Sequence, residues 1–166
     1  MIRLKIDKEA NATLRWVQKA INRRGIPRLA GTRFEGAALI ATDGKRIHAA
    51  KRPAFEVVDG ELSDGQYQGK VASSAHLVEL DPVEGVFPEY RDTLPGNPAE
   101  SEIELDPKFL REAIAGMVGN VRLKLRGGTN AIELFGRDAA DNPRYVLLMP
   151  LNPSTRKEWR PDQEDE

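Results

Sequence analysis

The chain opens with Ile2, Leu4 and Ile6 alternating with Arg3 and Lys5, the period-two pattern of a strand with one buried face. Asp7 follows as a side-chain cap for a helix. Over residues 11–24, Leu14, Val17 and Ile21 recur at helical spacing and form an inward stripe. Gly25 and Pro27 end that element, one suited to a left-handed cap and the other unable to continue the hydrogen-bond ladder. Residues 32–35 lead into 36–50, where two short strand-like runs flank Asp43-Gly44. This dipeptide is favoured where both central residues of a tight turn need positive φ, so the pattern predicts a two-stranded hairpin, closed by Lys51-Arg52-Pro53.

Residues 54–86 carry Gly60, Gly65 and Gly69 and two short strands, around Glu56-Val57-Val58 and Gln68-Gly69-Lys70-Val71, without sustained periodicity. Pro88, Pro95 and Pro98 mark the following segment as an ordered connection. The order of the first region then begins again. Glu102-Ile103-Glu104-Leu105 reads as a strand, Asp106 caps, and Pro107 takes the first helical position. The helix over 108–117 is expected to be buried through Phe109, Leu110, Ala113, Ile114 and Met117. Residues 121–125 alternate, Gly127-Gly128-Thr129-Asn130 turns the chain, 131–135 runs back, and 144–151 supplies the last strand. Strand, helix, strand, strand therefore occurs twice. The expected fold class is α+β. One domain spans 1–152, with similar halves at about 1–53 and 101–152, an insert and connection over 54–100, and two helices on one face of an antiparallel sheet. The charged, proline-interrupted tail 153–166 is expected to be disordered.

The composition supports a folded domain: 166 residues, of which 40% are hydrophobic, can supply a real core. Balanced charge, 25 basic against 26 acidic side chains, rules out a global positive field, so nucleic-acid binding requires local segregation. Arg15, Lys19 and Arg23 provide it, since residues four apart share one helical face, here opposite the apolar stripe. Lys108 and Arg111 lie on the outer face of the second helix. The absence of cysteine excludes disulfides, thiolate chemistry and cysteine-ligated metals. The amino terminus lacks the apolar run of a signal peptide or membrane span, which predicts a soluble, cytoplasmic protein with no membrane partner.

No catalytic constellation emerges. His48 and His76 have no partner at metal-ligand spacing, and Ser73-Ser74 lacks the flanking glycines of a nucleophile elbow. Gly127-Gly128 joins strand to strand rather than strand to helix, so it is not a phosphate loop. The expectation is a protein without enzymatic activity, cofactor or metal.

Three pieces, in order, resemble the bacterial DNA polymerase III β sliding clamp family: Ala41-Thr42-Asp43-Gly44 with Lys45-Arg46-Ile47, then Phe87-Pro88-Glu89-Tyr90-Arg91, then Tyr145-Val146-Leu147-Leu148-Met149-Pro150. The resemblance implies a clamp domain whose helices face double-stranded DNA without reading its sequence, which would turn Arg15, Lys19, Arg23, Lys108 and Arg111 toward phosphates. It also implies a groove for the short hydrophobic motif of replication or repair proteins. The matching positions are Thr42, Gly44, Arg46 and Ile47, then Pro88 and Arg91, then Leu147, Leu148, Met149 and Pro150. Ile132-Glu133-Leu134-Phe135 resembles such a motif itself but reads as a strand. Family protomers have three domains and two of them close a ring, whereas this chain has material for about one domain. It would act as a homo-oligomer encircling DNA, six copies matching the family's domain number, or alone as a peptide-binding adaptor. The competing expectation is a small intracellular ligand-binding protein or enzyme on a clamp-derived fold, its site around residues 67–76.

Overall fold

Alternation at the amino terminus yields β1 (Ile2–Lys5), with Ile2 and Leu4 buried and Lys5 exposed. The computed structural model describes residues 1–21, 26–95, 102–127, 130–151 and 161. It separates into two compact units with the boundary between Leu94 and Pro95.

In the first unit α1 (Lys8–Val17) is capped by Asp7, whose carboxylate accepts from the Ala10 amide at 2.7 Å. The helix buries Ala10, Asn11, Leu14 and Val17. It is shorter than the spacing predicts, because at Gln18–Ala20 the chain tightens into a 3-10 turn and Ile21 is extended. Three tertiary hydrogen bonds explain the stop. Gln18 is buried and donates from Nε2 to the Gly69 carbonyl at 2.9 Å. Two carbonyls at the helix end also accept from side chains of the hairpin: Trp16 from His48 and Lys19 from Arg46. Arg23 and Gly25 lie outside the described residues.

The sheet then forms from β2 (Thr32–Glu35), β3 (Ala38–Thr42), β4 (Ile47–Lys51), β5 (Glu56–Asp59), β6 (Gly65–Gln68) and β7 (Leu77–Pro82) together with β1. Its order is β4-β3-β2-β6-β7-β1-β5, with every pairing antiparallel. Leu39 and Ala41 of β3 join a core with Leu4, Leu14, Val17, Phe34 and Leu80. Ala38 and Ile40, alternating with them, pack on Phe87 and Tyr90. Both faces of β3 are therefore covered, which is why it reads as an unbroken apolar run.

Residues 54–86, expected as an insert, supply three strands of this sheet. Buried amides hold the region down: Asn11 donates from Nδ2 to the Ala72 and Ala75 carbonyls, each at 2.9 Å. The strand predicted around Gly69 runs at Gly65–Gln68 instead, and Gly69 just beyond it passes so close to the Glu79 backbone that a Cβ would stand 2.3 Å from its carbonyl oxygen. The hairpin turn also differs from expectation. The β3–β4 loop has four residues, 43–46, and among the described residues only Gly44 there has positive φ, at 85°. Side chains close it: Asp43 accepts from the Lys45 and Arg46 amides, and Thr42 Oγ1 donates to the Arg46 carbonyl at 2.8 Å.

The second unit comprises α2 (Pro107–Ile114) and a three-stranded antiparallel sheet in the order β10-β9-β8, formed by β8 (Val118–Lys124), β9 (Ile132–Arg137) and β10 (Pro143–Leu148). Asp106 caps α2 by accepting from the Lys108 amide at 2.7 Å, with Pro107 at the first position. The strand expected at 102–105 is reduced to one bridge, Glu104 with Leu151. The expected burial of α2 is not observed: Phe109 and Ile114 are exposed, and Leu110, Ala113 and Met117 are half-buried. Within this unit the fully covered large side chains are Ile132 and Leu134 of the central strand, since three strands and two helical turns enclose little volume. The tail from 152 onward lies, apart from Pro161, outside the described residues.

The β9–β10 turn depends on Asp138, which accepts from the Ala140 and Asn142 amides at 3.0 Å and from Arg144 at 2.7 Å. The Asn142 amide first, then Arg144, hold its pKa down to about 2 from 3.8. A depressed folded-state value means that the stabilisation is complete above about pH 4 and is lost as pH falls through about 2. In melting curves recorded between pH 5 and 2, the advantage of the parent protein over Asp138→Asn should shrink across that window. An advantage independent of pH would contradict the assignment.

Candidate functional site

The four-residue loop leaves Ile47, the first residue of β4, 37% exposed, and sets Lys45 and Arg46 outward. Facing this hairpin is the segment 87–94, which crosses the sheet surface and ends in a 3-10 turn at Arg91–Thr93. Phe87 and Tyr90 anchor it, edge to face at 6.4 Å, against Ala38 and Ile40. Between hairpin and segment lies a pocket of about 440 Å³ lined by Thr42, Gly44, Lys45, Arg46, Ile47, Pro88, Glu89, Tyr90, Thr93 and Leu94. Its volume falls in the range of small-ligand and peptide side-chain pockets. Ile47, Pro88, Tyr90 and Leu94 offer apolar surface, while Lys45, Arg46 and Glu89 put charges of both signs in the lining.

A charged cluster fixes the segment. Glu35 pairs with Arg33 at 2.8 Å and with Arg91, and the Tyr90 hydroxyl lies 3.4 Å from the Glu35 carboxylate. The Arg91 guanidinium also sits over the Tyr90 ring, 5.4 Å from its centroid. Burial first, then the neighbouring Glu35 carboxylate, push the Tyr90 hydroxyl above its usual value. Arg46 is similarly committed: Nε donates to Asp43 at 3.1 Å and Nη2 to the Lys19 carbonyl at 2.8 Å. The backbone amide of Lys45 is foremost in holding the Asp43 carboxyl below its usual range.

Of the residues expected to bind a peptide, the structure thus brings Thr42, Gly44, Arg46, Ile47 and Pro88 into one lining. Arg91 is turned to Glu35 and is not among the lining residues. Leu147, Leu148, Met149 and Pro150 belong to the second unit, at β10 and just beyond it; Leu147 and Met149 are exposed, Leu148 and Pro150 half-buried. Lys45, Glu89, Tyr90, Thr93 and Leu94 line the pocket without having been singled out as contacts. Their place in the Asp-Gly and Phe-Pro-Glu-Tyr pieces was the available signal.

Among the expected DNA contacts, Arg15 lies on α1 and Lys19 on the turn after it, both exposed; Lys108 and Arg111 are exposed on α2. In the segment 67–76, considered for a small-molecule site, Tyr67 and Val71 enter the core, and the Tyr67 hydroxyl donates to the Ser63 carbonyl. Among the described residues no group of three or more carboxylates or histidines is arranged to hold a metal, and no helix is long and apolar enough to cross a membrane.

The fold is similar to that of bacterial DNA polymerase sliding clamps. The DNA polymerase sliding clamp from Bacillus subtilis superposes with a TM-score of 0.59 at 16% identity, over 90% of this chain and 49% of that one. The DNA polymerase III subunit β from Pseudomonas aeruginosa gives 0.55 at 16% identity, over 93% of this chain and 52% of its own. The chain therefore spans about half the length of these structures. No protein-family model and no curated protein sequence matches it.

The Glu35 cluster makes a prediction for the segment that walls the pocket. Glu35→Gln removes the charge that holds Arg91, a loss of about 1–2 kcal/mol in local stability. The amides of Thr93 and Leu94, which donate to Tyr90 and Arg91 carbonyls, should then exchange with solvent roughly 5- to 30-fold faster. Unchanged exchange at both would show that the cluster does not anchor the segment.

Proposed function

We propose that this protein is a non-enzymatic, sliding-clamp-like factor of DNA replication or repair, which binds double-stranded DNA through helix cations and docks partner proteins by a short hydrophobic motif. One clamp-like domain would span residues 1–152, with similar halves at about 1–53 and 101–152. The protein would work as a DNA-encircling oligomer or as a single-copy adaptor in the cytoplasm. The observation that carries this reading is the pocket between hairpin and segment 87–94. Five residues singled out from clamp-like sequence pieces line it together, although the pieces are some forty residues apart. Its apolar lining suits aliphatic or aromatic anchors, and Lys45 and Arg46 suit an acidic residue beside them. Leu147, Leu148, Met149 and Pro150, in the second unit, are proposed as further contacts for such a motif.

DNA association is ascribed to Arg15, Lys19, Arg23, Lys108 and Arg111, cations able to attract phosphates without contacting base edges. The structural neighbours are DNA polymerase clamps by name, which supports this assignment at the level of fold.

Titration with a fluorescently labelled peptide carrying a hydrophobic clamp-binding motif tests the pocket. Saturable binding is expected, weakened at least about 10-fold by Ile47→Glu, a loss of about 1.4 kcal/mol. Equal affinity of parent and variant would remove the pocket from the account. For DNA, affinity for a duplex should fall steeply and log-linearly with salt. Arg15→Glu, Lys19→Glu and Arg23→Glu combined should abolish it, and an unaltered isotherm would exclude the helix face.

A further inference from the structure

The outward stripe of α1 is not only basic. Lys8, Ala12, Arg15 and Lys19 follow one another at three- and four-residue steps, with Trp16 four residues after Ala12 at the edge of the same face, opposite the buried Ala10, Leu14 and Val17. Trp16 stands among them 46% exposed, although an indole is the largest apolar group a chain can bury. It is nevertheless held in place. The His48 ring of β4 stacks on it with centroids 4.5 Å apart and planes inclined by 17°. His48 Nδ1 lies 2.9 Å from the Trp16 carbonyl. A carbonyl only accepts, so Nδ1 carries the proton and the imidazole is locked to the residue on which it stacks. An indole backed on one side by a fixed ring is a rigid platform with little conformational entropy left to lose on binding.

An open concavity of about 740 Å³ lies against this platform, lined by Ala12, Arg15, Trp16, Gln18, Lys19 and Ile21. Arg15 and Lys19 border it about one helical turn apart, ~6 Å along the axis. Among the described residues neither side chain has an acidic partner, and Glu9 is the one acidic residue of α1. Two unpaired cations beside a fixed aromatic face select for a ligand that carries negative charge and a planar π-system at once. A duplex offers phosphates but keeps its bases stacked inside, whereas a single strand offers both.

We infer that the Trp16–His48 platform, with Arg15 and Lys19, is a binding site for single-stranded nucleic acid, in which a base stacks on the indole while adjoining phosphates meet the two cations. The inference rests on the proposal that the cationic face of α1 meets nucleic acid and adds to it a preference for unpaired bases. It gives the protein a means of distinguishing a gap or an unpaired template segment from flanking duplex.

The test is fluorescence anisotropy of the full chain with a labelled oligo-dT and with a duplex of the same length, at several salt concentrations. The parent protein should bind the single strand more tightly than the duplex. Trp16→Ala should weaken single-strand binding about 5- to 100-fold, as loss of one base–aromatic stack does, and change duplex binding less than about 2-fold. Trp16→Phe should recover part of the loss, which separates stacking from a folding defect, and His48→Ala should reduce single-strand affinity by unfixing the indole. In a Trp159→Phe background, oligo-dT should quench the remaining indole fluorescence. Arg15→Glu with Lys19→Glu should weaken both ligands. If those charge reversals weaken both ligands but Trp16→Ala leaves their ratio unchanged, the platform is refuted while the proposed DNA contact stands. If the charge reversals alter neither, both fail.

Discussion

The first unit depends on the double burial of β3. Leu39 and Ala41 turn toward α1 and the long sheet core, while Ala38 and Ile40 turn the other way onto Phe87 and Tyr90. Full burial of a residue such as Ile40 is worth about 1.5–3 kcal/mol relative to leaving it exposed, and that contribution exists only while segment 87–94 stays on the sheet. The same contact holds the segment beside the β3–β4 loop. Covering the outer face of a strand and building the wall of a pocket are thus one event.

The hairpin that frames the pocket also finishes α1. Its Arg46 and His48 supply hydrogen bonds to the Lys19 and Trp16 carbonyls at the end of the helix. Arg46 lines the pocket and reaches the helix end at once. The surface proposed for peptide docking and the cationic, aromatic surface proposed for nucleic acid therefore share a structural support. An acidic partner residue competing for Arg46 would act on the support of the second surface.

What could be read from the sequence follows the physics of each segment. β1 and the capped starts of both helices were legible because alternation and the Asp7 and Asp106 caps are local signals. β3 was legible as an apolar run, but its two-sided cover was not, since nothing near residue 40 announces Phe87 and Tyr90. The stop of α1 at Val17 was hidden, because the hydrogen bonds that end it come from Gly69, Arg46 and His48. Residues 69–75 looked irregular because buried amides of Asn11 and Gln18 hold their carbonyls in place of a ladder, whereas β7, with buried Val78 and Leu80 alternating with exposed Leu77 and Glu79, carries a period-two pattern too short to stand out in its surroundings. Half of the pocket was legible from sequence pieces. Arg91 was not, because its tie to Glu35 crosses more than fifty positions. Trp16 was not legible as a platform, because the His48 ring that fixes it comes from more than thirty positions away.

Everything built on the first unit requires residues 87–94 to lie on the face of β3 turned away from α1. Nuclear Overhauser contacts in the methyl-labelled protein measure this directly. Strong cross-peaks are expected from the Phe87 and Tyr90 rings to the Ala38 and Ile40 methyls, together with cross-peaks from Leu39 to Leu14 or Val17 on the opposite face. Ring-to-methyl contacts that are missing, or that run to Leu39 and Ala41 instead, would contradict it.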